Sequence, residues 1–323
     1  MSKAIRIHEP GGPEVLRWEE VEVGRPGPGE VRLRQTAVGL NFIDVYHRSG
    51  LYKLPLPAVI GSEATGVVEE VGPGVADVGP GDRVGYAGAV GAYAQVRVIA
   101  ADRLVPLPEG VSDAVAAAAM LKGMTAQYLL RRTCRVEPGD AVLIHAAAGG
   151  VGLIACQWAR HLGATVIGTV SSDEKAALAR AHGCEHAVVT KREDFVAGVK
   201  EITAGRGVRV VYDSVGKDTW DGSLDCLQPL GMMVSFGNSS GPVPPFSPLV
   251  LSAKGSLFLT RPTLMAYTAQ RAELLACAAE LFDVIAKGAV RVEVSRTYAL
   301  ADAASAHRDL EGRRTTGSSV LIP

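Results

Sequence analysis

The sequence predicts an α/β protein in which a β-rich segment precedes a doubly wound, six-stranded parallel sheet. Three observations support this fold class. The chain has 323 residues, which is more than one typical domain. Short alternating runs separated by glycine and proline fill its first 110 residues, and from about Ser112 onward apolar runs alternate with segments of helix length.

The first part of the chain has the pattern of antiparallel strands. Residues 30–34, 83–86 and 95–98 form short runs that are typical of half-buried strands. Turn sequences such as Pro26-Gly27-Pro28-Gly29 separate these runs. We therefore expect an antiparallel barrel or sandwich here.

The second part has the pattern of parallel strands joined by helices. Ser112 and Asp113 predict the start of an alanine-rich helix that leads into it. Apolar runs predict strands at residues 141–145, 165–170, 186–189, 208–212, 232–236 and 256–259. The segments between them predict helices at residues 152–162, 172–182, 194–204 and 218–227. Six such strands match the complete dinucleotide-binding sheet.

The last 60 residues predict a return to the first part. They have the pattern of a helix at 268–287, a strand at 292–300, a helix at 300–311 and a strand at 318–322. A short α+β remnant cannot bury a core of its own, so this tail is expected to pack onto the first domain. The predicted division is a first domain at 1–122, a nucleotide-binding domain at 123–262 and the return segment at 263–323.

Composition and charge exclude several classes of function. The 33 basic and 34 acidic residues leave a net charge of −1, which provides no strong field for nucleic acid or an anionic membrane. The longest apolar run, residues 114–121, is shorter than the roughly 20 residues of a membrane span, and no signal peptide is visible. The five cysteines contain no CxxC pair, which argues against a zinc ribbon and a disulfide framework. We expect a cytoplasmic protein that binds neither nucleic acid nor membrane.

A glycine-rich loop follows the first predicted parallel strand. Ala147, Gly149 and Gly152 match the G-x-G-x-x-G pattern, with alanine at the first position. Gly149 lets backbone amides approach a pyrophosphate, and Gly152 allows close packing of helix and strand. Together with Gly150 and Val151, they place a helix N-terminus with free N–H groups next to the loop. The loop predicts a dinucleotide site, and a simple packing turn is the plainer alternative.

The residues after the second predicted strand favour NADPH over NADH. NAD-binding proteins carry an acidic residue there, which holds the ribose 2′-hydroxyl. This chain instead has Ser171 and Ser172, followed by Lys175, and these side chains can donate hydrogen bonds to a 2′-phosphate. Arg313 or Arg314 is a further candidate from the tail. The plainer alternative for the two serines is that they cap a helix.

Several segments resemble the medium-chain dehydrogenase/reductase superfamily, and closely its quinone oxidoreductase branch, which includes zeta-crystallin. The matching segments are residues 39–46, 61–66, 146–152, 212–216, 235–241 and 260–262. The resemblance covers essentially the whole chain and implies a GroES-like catalytic domain together with a Rossmann NADPH-binding domain. It also implies a homodimer joined edge to edge through the last Rossmann strand, about residues 256–259, with a tetramer left open.

The resemblance also implies an enzyme without zinc. The family's zinc-dependent alcohol dehydrogenases place a cysteine where Asn41 stands and a histidine where Ser62 stands, and they carry a four-cysteine lobe that this chain lacks. The seven histidines and five cysteines also show no metal-ligand spacing. Hydride transfer would then depend on positioning and hydrogen-bond donors, which suits a quinone or a carbonyl-activated alkene.

The same resemblance assigns candidate site residues. Residues matching Asn41, Tyr46 and Tyr52 line the cleft beside the nicotinamide in the quinone reductase branch, so their amide and phenol groups are expected to donate to a substrate carbonyl. A turn role for Asn41 and rim packing for the tyrosines are the plainer alternatives. Besides the glycine-rich loop and the residues after the second strand, the resemblance implies cofactor contacts from Asn41, Thr125, Ser214, Phe236, Gly237, Asn238 and Arg313.

The predicted activity is therefore the NADPH-dependent reduction of quinones, by one or two electrons. A reductase of enone or alkenal double bonds is the alternative on the same fold. A non-enzymatic, nucleotide- or RNA-binding role of the zeta-crystallin kind is the alternative from another class. The net charge of −1 and the lack of a basic stripe disfavour RNA.

Overall fold

A computed structural model describes residues 2–323 and divides them into two compact units. The first, the β-rich unit, comprises residues 2–124, 268–282 and 292–323. The second, the parallel-sheet unit, comprises residues 125–267 and 283–291. Residues 263–267 and 283–291, which the sequence assigned to the return segment, thus lie in the parallel-sheet unit. The α/β fold class predicted from the sequence is confirmed.

The strands and helices follow one another along the whole chain. In chain order, the strands are β1 Ser2–Ile7, β2 Arg17–Val21, β3 Glu30–Gly39, β4 Ala58–Val59, β5 Glu63–Val71, β6 Arg83–Ala87, β7 Val96–Ala100, β8 Val105–Pro106, β9 Ala141–Ile144, β10 Thr165–Val170, β11 His186–Val189, β12 Val208–Asp213, β13 Leu227–Ser235, β14 Phe258–Thr260, β15 Val294–Ala299 and β16 Ser318–Ile322. The helices are α1 Phe42–Ser49, α2 Asp113–Tyr128, α3 Gly150–His161, α4 Asp173–Ala181, α5 Phe195–Ile202, α6 Trp220–Asp225, α7 Leu249–Ala253, α8 Leu264–Tyr267, α9 Arg271–Ala286 and α10 Ala303–Glu311. No helix within residues 2–323 is long and apolar enough to cross a membrane.

The β-rich unit contains a three-stranded and a seven-stranded sheet. The small sheet has the order β2-β1-β4, and the large one has the order β15-β16-β3-β5-β6-β8, with β7 also paired to β3. All pairs are antiparallel except β15 with β16. Along β3, Val31 and Leu33 point into the core between half-buried or exposed polar neighbours, which is the alternation predicted from the sequence.

Helix α1 interrupts the β-rich segment and was not predicted. Asn41 precedes it with an extended backbone, and Gly50 ends it at a φ of +80°, where a residue without Cβ is favoured. Phe42, Val45 and Tyr46 are strand formers, and the helix has only eight residues. Local propensity therefore does not reveal α1, although the helix contains the candidate site residue Tyr46 and is capped by another, Asn41.

The parallel-sheet unit contains a six-stranded sheet with the order β11-β10-β9-β12-β13-β14. Every neighbouring pair is parallel, and numbering these six strands from β9 gives the order 3-2-1-4-5-6 of a complete Rossmann sheet. The order in which the strands are added reverses between β9 and β12. Strands β10 and β11 lie on one side of β9, and strands β12, β13 and β14 lie on the other. Ligands of such sheets bind outside the carboxyl ends of the strands at this switch point. The loop that follows β9 is the predicted glycine-rich loop.

Candidate active site

The glycine-rich loop presents a helix N-terminus at the switch point of the sheet. Gly149 caps α3, and the first helical hydrogen bond runs from the Leu153 N–H to the Gly149 carbonyl over 2.9 Å. The N–H groups of Gly150, Val151 and Gly152 come before that bond, so they have no acceptor within the helix. Such amides, together with the helix dipole, form a site for an anion such as a pyrophosphate.

Two glycines of this loop meet different constraints. A Cβ atom on Gly152 would overlap the carbonyl oxygen of Ala146 and lie 2.7 Å from that of Ala147. At Gly149, the nearest atom to such a Cβ is the Ala146 carbonyl oxygen, 3.2 Å away. Gly152 is therefore required by the packing of α3 against the loop, whereas Gly149 keeps the space in front of the helix N-terminus open.

The residues after β10 form the start of α4. The Ser172 hydroxyl oxygen accepts a hydrogen bond from the Lys175 backbone N–H at 3.4 Å, so Ser172 caps the N-terminus of α4. A hydrogen bond from Ser172 also lowers the pKa of the Glu174 carboxyl. Asp173 forms an exposed ion pair with Arg192 at 2.6 Å. Arg192 follows β11, the neighbour of β10, and brings a cation to this edge that the sequence analysis missed.

The turns after β12 and β13 lie against each other. The Asp213 carboxylate at the end of β12 accepts the backbone N–H groups of Val215 and Gly216 at 2.7 and 2.9 Å, which shapes the turn that carries Ser214. A Cβ atom on Gly237 would lie 2.5 Å from the Ser214 carbonyl oxygen. The structure therefore brings Ser214 and Gly237 together at the switch point.

Asn238 and Phe236 flank this contact. The Phe236 N–H donates to the Asp213 carbonyl at 2.8 Å, and the Asn238 amide oxygen accepts from Arg261 at 3.1 Å. Arg261 also donates to the Ser235 carbonyl at 2.8 Å. The polar groups after β13 are thus held by an arginine that the sequence analysis did not assign to the site.

A buried histidine ties the same strand ends together. His145 Nδ1 lies 2.8 Å from Thr169 Oγ1, and Nε2 lies 2.9 Å from Ser223 Oγ. Ser223 in turn donates to the Asp213 carboxylate at 2.9 Å. Burial lowers the pKa of His145, so its ring stays neutral and links β9, β10 and β12 through hydrogen bonds alone.

The remaining cofactor candidates lie on other elements. Thr125 is buried in the last turn of α2. Arg313 follows α10 with a φ of +56° and is exposed. The Arg314 guanidinium is bound to the Asp309 carboxylate at 2.8 Å and to the Arg308 carbonyl at 3.0 Å. Arg314 is thereby held to α10.

The three substrate-site candidates belong to one short segment of the β-rich unit. Asn41 begins α1 and is 6% exposed. Tyr46 lies in the second turn of the same helix, and its ring packs edge-on against that of Tyr52 with the centroids 5.2 Å apart. The Asn41 amide faces the Glu63 carboxylate, but its Nδ2 makes no regular hydrogen bond with any described residue.

Asp44 holds the start of α1 in place. Its fully buried carboxylate accepts hydrogen bonds from the Asn41 backbone N–H at 2.9 Å, from Ser62 Oγ at 2.9 Å and from Tyr93 Oη at 3.2 Å. Burial raises the pKa of Asp44 to about 7, against the opposing effect of these three donors. All three hydrogen bonds run toward its carboxylate oxygens, so Asp44 serves as a hydrogen-bond acceptor.

A buried ion pair lies next to this helix start. Lys122 Nζ on α2 is 3.0 Å from Glu63 Oε1, and the Leu121 N–H donates to the other carboxylate oxygen. Glu63 is fully buried and Lys122 is 5% exposed. Burial raises the pKa of Glu63, and the Lys122 ammonium opposes that shift.

The side chains at this site do not fit a catalytic zinc. The two positions at which zinc-dependent relatives carry ligands hold an amide, Asn41, and a hydroxyl, Ser62, that donates to Asp44. Zinc prefers thiolate, imidazole and carboxylate ligands. Across residues 2–323, no group of three His, Cys, Asp or Glu side chains could hold a metal ion.

Local sequence patterns do not reveal the side chains that surround Asn41. Ser62 and Glu63 lie within a segment that matched the family, but Tyr93 and Lys122 come from distant parts of the chain. No local spacing connects these residues, so only the fold reveals the cluster.

Two family profiles match the chain. Residues 27–109 match the alcohol dehydrogenase GroES-like domain, and residues 150–282 match the zinc-binding dehydrogenase family. The first match lies in the β-rich unit, and the second begins at the first residue of α3.

The chain is also similar to characterised proteins over its full length. It is 54% identical to the quinone oxidoreductase of Pseudomonas aeruginosa, with 100% of each chain covered, and 52% identical to the 2-haloacrylate reductase of a Burkholderia species, with 100% of this chain and 99% of the relative covered. The crystal structure of Escherichia coli quinone oxidoreductase complexed with NADPH shares 51% identity and a TM-score of 0.98, with 99% of this chain and 100% of that chain covered. The chain therefore belongs to the quinone oxidoreductase branch of the medium-chain dehydrogenase/reductase superfamily.

Proposed function

We propose that the protein reduces quinones with NADPH and does so without zinc. The observation that carries this proposal is the Asn41 side chain, whose buried amide donor has no regular partner at the start of α1. An unsatisfied buried donor costs about 1–3 kcal/mol, and a carbonyl oxygen would satisfy it. The full-length similarity to two quinone oxidoreductases supports the same assignment.

The parallel-sheet unit would bind NADPH at the switch point. The amides at the start of α3 would hold the pyrophosphate, and the cations and hydroxyls at the ends of β10 and β11 would hold the 2′-phosphate. NADPH supplies the hydride for the reaction. We assign cofactor binding to Asn41, Thr125, Gly149, Gly150, Val151, Gly152, Ser171, Ser172, Lys175, Ser214, Phe236, Gly237, Asn238 and Arg313.

The substrate carbonyl would be polarised by hydrogen-bond donors in place of a metal. Asn41 Nδ2 is the first donor, and the phenol groups of Tyr46 and Tyr52 are the others. Donors that are already oriented in a buried site stabilise the negative charge that develops on the oxygen as hydride arrives. A quinone accepts hydride readily, so such donors suffice.

A reductase of activated double bonds is the second candidate. The 52% identity to a 2-haloacrylate reductase favours it, because the same donors would polarise a carbonyl conjugated to an alkene. An RNA-binding role is disfavoured by the net charge of −1.

A substrate panel tests the proposed function. We expect kcat/KM with NADPH to be highest for quinones and lower for both alkenals and 2-haloacrylates. Asn41→Ala is expected to lower kcat for quinones about tenfold or more, because a hydrogen bond to developing charge is lost.

Two outcomes would contradict this assignment. Higher kcat/KM with alkenals or haloacrylates than with any quinone would favour the double-bond reductase. Stoichiometric zinc in the purified protein, with activity lost to chelators, would contradict the zinc-independent reaction. The exposed Lys200→Ala variant on α5 provides the control for nonspecific effects of substitution.

Lys175→Ala is expected to raise the KM for NADPH about tenfold while leaving the KM for NADH nearly unchanged. A charge-assisted hydrogen bond to the 2′-phosphate contributes about 1.5–3 kcal/mol, and NADH lacks that phosphate. Higher salt should weaken NADPH binding more than NADH binding. Steady-state kinetics with both cofactors measure these effects. Equal losses for NADPH and NADH would show that Lys175 only supports α4.

We propose that two copies of the chain pair through the edge of the parallel sheet. The edge strand β14 carries Phe258, and the neighbouring β13 carries Leu230, and both side chains are more than half exposed. An apolar open edge favours pairing with another chain. We expect a solution mass of at least twice 33.7 kDa at micromolar concentration.

Phe258→Lys should shift this mass toward the monomer, because it places a charge on the paired edge. Ile322→Lys, at a similarly accessible residue of β16, is the matched control. A monomeric wild-type protein in sedimentation at micromolar concentration would refute the edge-paired dimer.

A further inference from the structure

A continuous line of hydrogen bonds connects Asp44 to α10, the last helix of the chain. Tyr93 Oη lies 3.2 Å from Asp44 Oδ2 and 3.0 Å from His307 Nε2, and His307 Nδ1 lies 3.1 Å from Arg48 Nη1. Arg48 is held on its other side by two 2.8 Å hydrogen bonds to the Glu311 carboxylate. Tyr93 and His307 are fully buried, and Arg48 nearly so, so water does not compete for these bonds.

Arg48 sets the direction of this line. A guanidinium only donates hydrogen bonds, so His307 Nδ1 must accept from it. Burial lowers the pKa of His307 to about 3, so the neutral ring carries its single proton on Nε2 and donates to Tyr93 Oη. Burial also keeps the pKa of Tyr93 well above its usual value, so the hydroxyl retains a proton, which it donates to Asp44.

Asp44 is therefore the acceptor at the end of the line. The Tyr93 hydroxyl, the Ser62 hydroxyl and the Asn41 backbone N–H all donate to its two oxygens. An ionised carboxylate can accept hydrogen bonds from all three donors, whereas a protonated carboxyl group would leave one of them without an acceptor. The nearby Lys122 ammonium favours the same ionised form.

We propose that Arg48, His307 and Tyr93 are positioning residues, which hold the Asp44 carboxylate against the Asn41 backbone and thereby orient the Asn41 amide for the reaction. The proposal rests on the role of Asn41 in the proposed function. It assigns a part in the site to α10, because His307 and Glu311 of that helix anchor the outer end of the line.

Tyr93→Phe tests the proposal, because it removes only the hydroxyl that donates a hydrogen bond to Asp44. We expect hydrogen exchange of a peptide covering residues 40–46 to become about tenfold faster, since the Asn41 N–H loses part of its anchor. We also expect kcat for quinones to fall about tenfold, and the acid limb of its pH profile to move to higher pH. NADPH affinity should fall less than kcat does, because Asn41 is only one of the several residues assigned to cofactor binding.

Tyr86→Phe is the matched control. Tyr86 is equally buried in the β-rich unit, but its hydroxyl donates to Gln35 and accepts from Arg97 rather than contacting Asp44. In this variant, hydrogen exchange at residues 40–46, kcat and the midpoint of the acid limb of the pH profile should match those of the wild type. A second pair of variants uses the histidine: His307→Gln keeps an N–H for Tyr93 and should retain more activity than His307→Leu.

The outcomes separate the two proposals. Equal exchange at residues 40–46 in Tyr93→Phe and Tyr86→Phe would overturn the hydrogen-bond line, whatever the substrate of the enzyme. Faster exchange with an unchanged kcat and pH midpoint would overturn the positioning role. A wild-type protein that does not reduce quinones would overturn the proposed function, and the exchange measurements would still decide whether the line holds Asn41. If Tyr93→Phe does not fold, His307→Gln serves for the same measurements.

Discussion

Lys122→Met is expected to destabilise the protein by about 3–5 kcal/mol, because it leaves the buried Glu63 carboxylate without its cation. The pair lies 3.0 Å apart in the β-rich unit, and Glu63 has no exposed surface. Chemical denaturation of the variant and the wild type measures the loss in the free energy of unfolding.

The pH dependence of this loss has a definite sign. The folded-state pKa of Glu63 is already raised by burial, and removing Lys122 raises it further. A carboxyl whose folded pKa lies above its unfolded value is destabilising above the unfolded value, and the cost grows with pH up to the folded pKa. The free energy of unfolding of the variant should therefore be closest to that of the wild type at acid pH and furthest below it at alkaline pH.

A double variant provides the control for this prediction. Lys122→Met combined with Glu63→Gln removes both charges, and replacement of a whole buried pair is often close to neutral. We expect the double variant to recover most of the stability that Lys122→Met loses. A loss below about 1 kcal/mol in Lys122→Met, or the same loss at all pH values, would show that the pair is not buried as described.

Gly152→Ala is expected to destabilise the protein by about 3 kcal/mol or more and to abolish measurable NADPH binding. The added Cβ atom would overlap the Ala146 carbonyl and approach that of Ala147, and both are backbone groups that cannot rotate away. The loop would have to move away from α3, which takes the amides of the helix N-terminus out of place.

Gly149→Ala is the matched variant for the neighbouring glycine. Its Cβ atom meets only the Ala146 carbonyl, at 3.2 Å, so we expect a change in stability within about 1 kcal/mol. NADPH affinity should still fall about tenfold, because the methyl group would enter the space that we assign to the pyrophosphate. Thermal unfolding and titration with NADPH distinguish the two variants. Wild-type stability in Gly152→Ala would contradict the packing role assigned to Gly152.

The parallel sheet was predicted almost strand by strand, and its chemistry explains why. Strands such as β9 and β12 are buried on both faces, so they appear as unbroken apolar runs between polar turns. The predicted strand at residues 186–189 coincides with β11. Helix α1 was missed because its eight residues are rich in strand formers, and its helical state depends on the Asp44 cap and on packing.

The resemblance of short segments indicated the family, and the sequence by itself determined the alternation of strands and helices in the parallel-sheet unit and the glycine-rich loop after β9. The strands, the helices and the loop are encoded locally, in the period of apolar residues and in glycines whose spacing is set by one turn. Only the tertiary structure decided which residues surround Asn41. Ser62 and Tyr93 reach Asp44 from two separate loops, and His307 reaches Tyr93 from α10. Because such contacts have no period along the chain, no reading of neighbouring residues could reveal them.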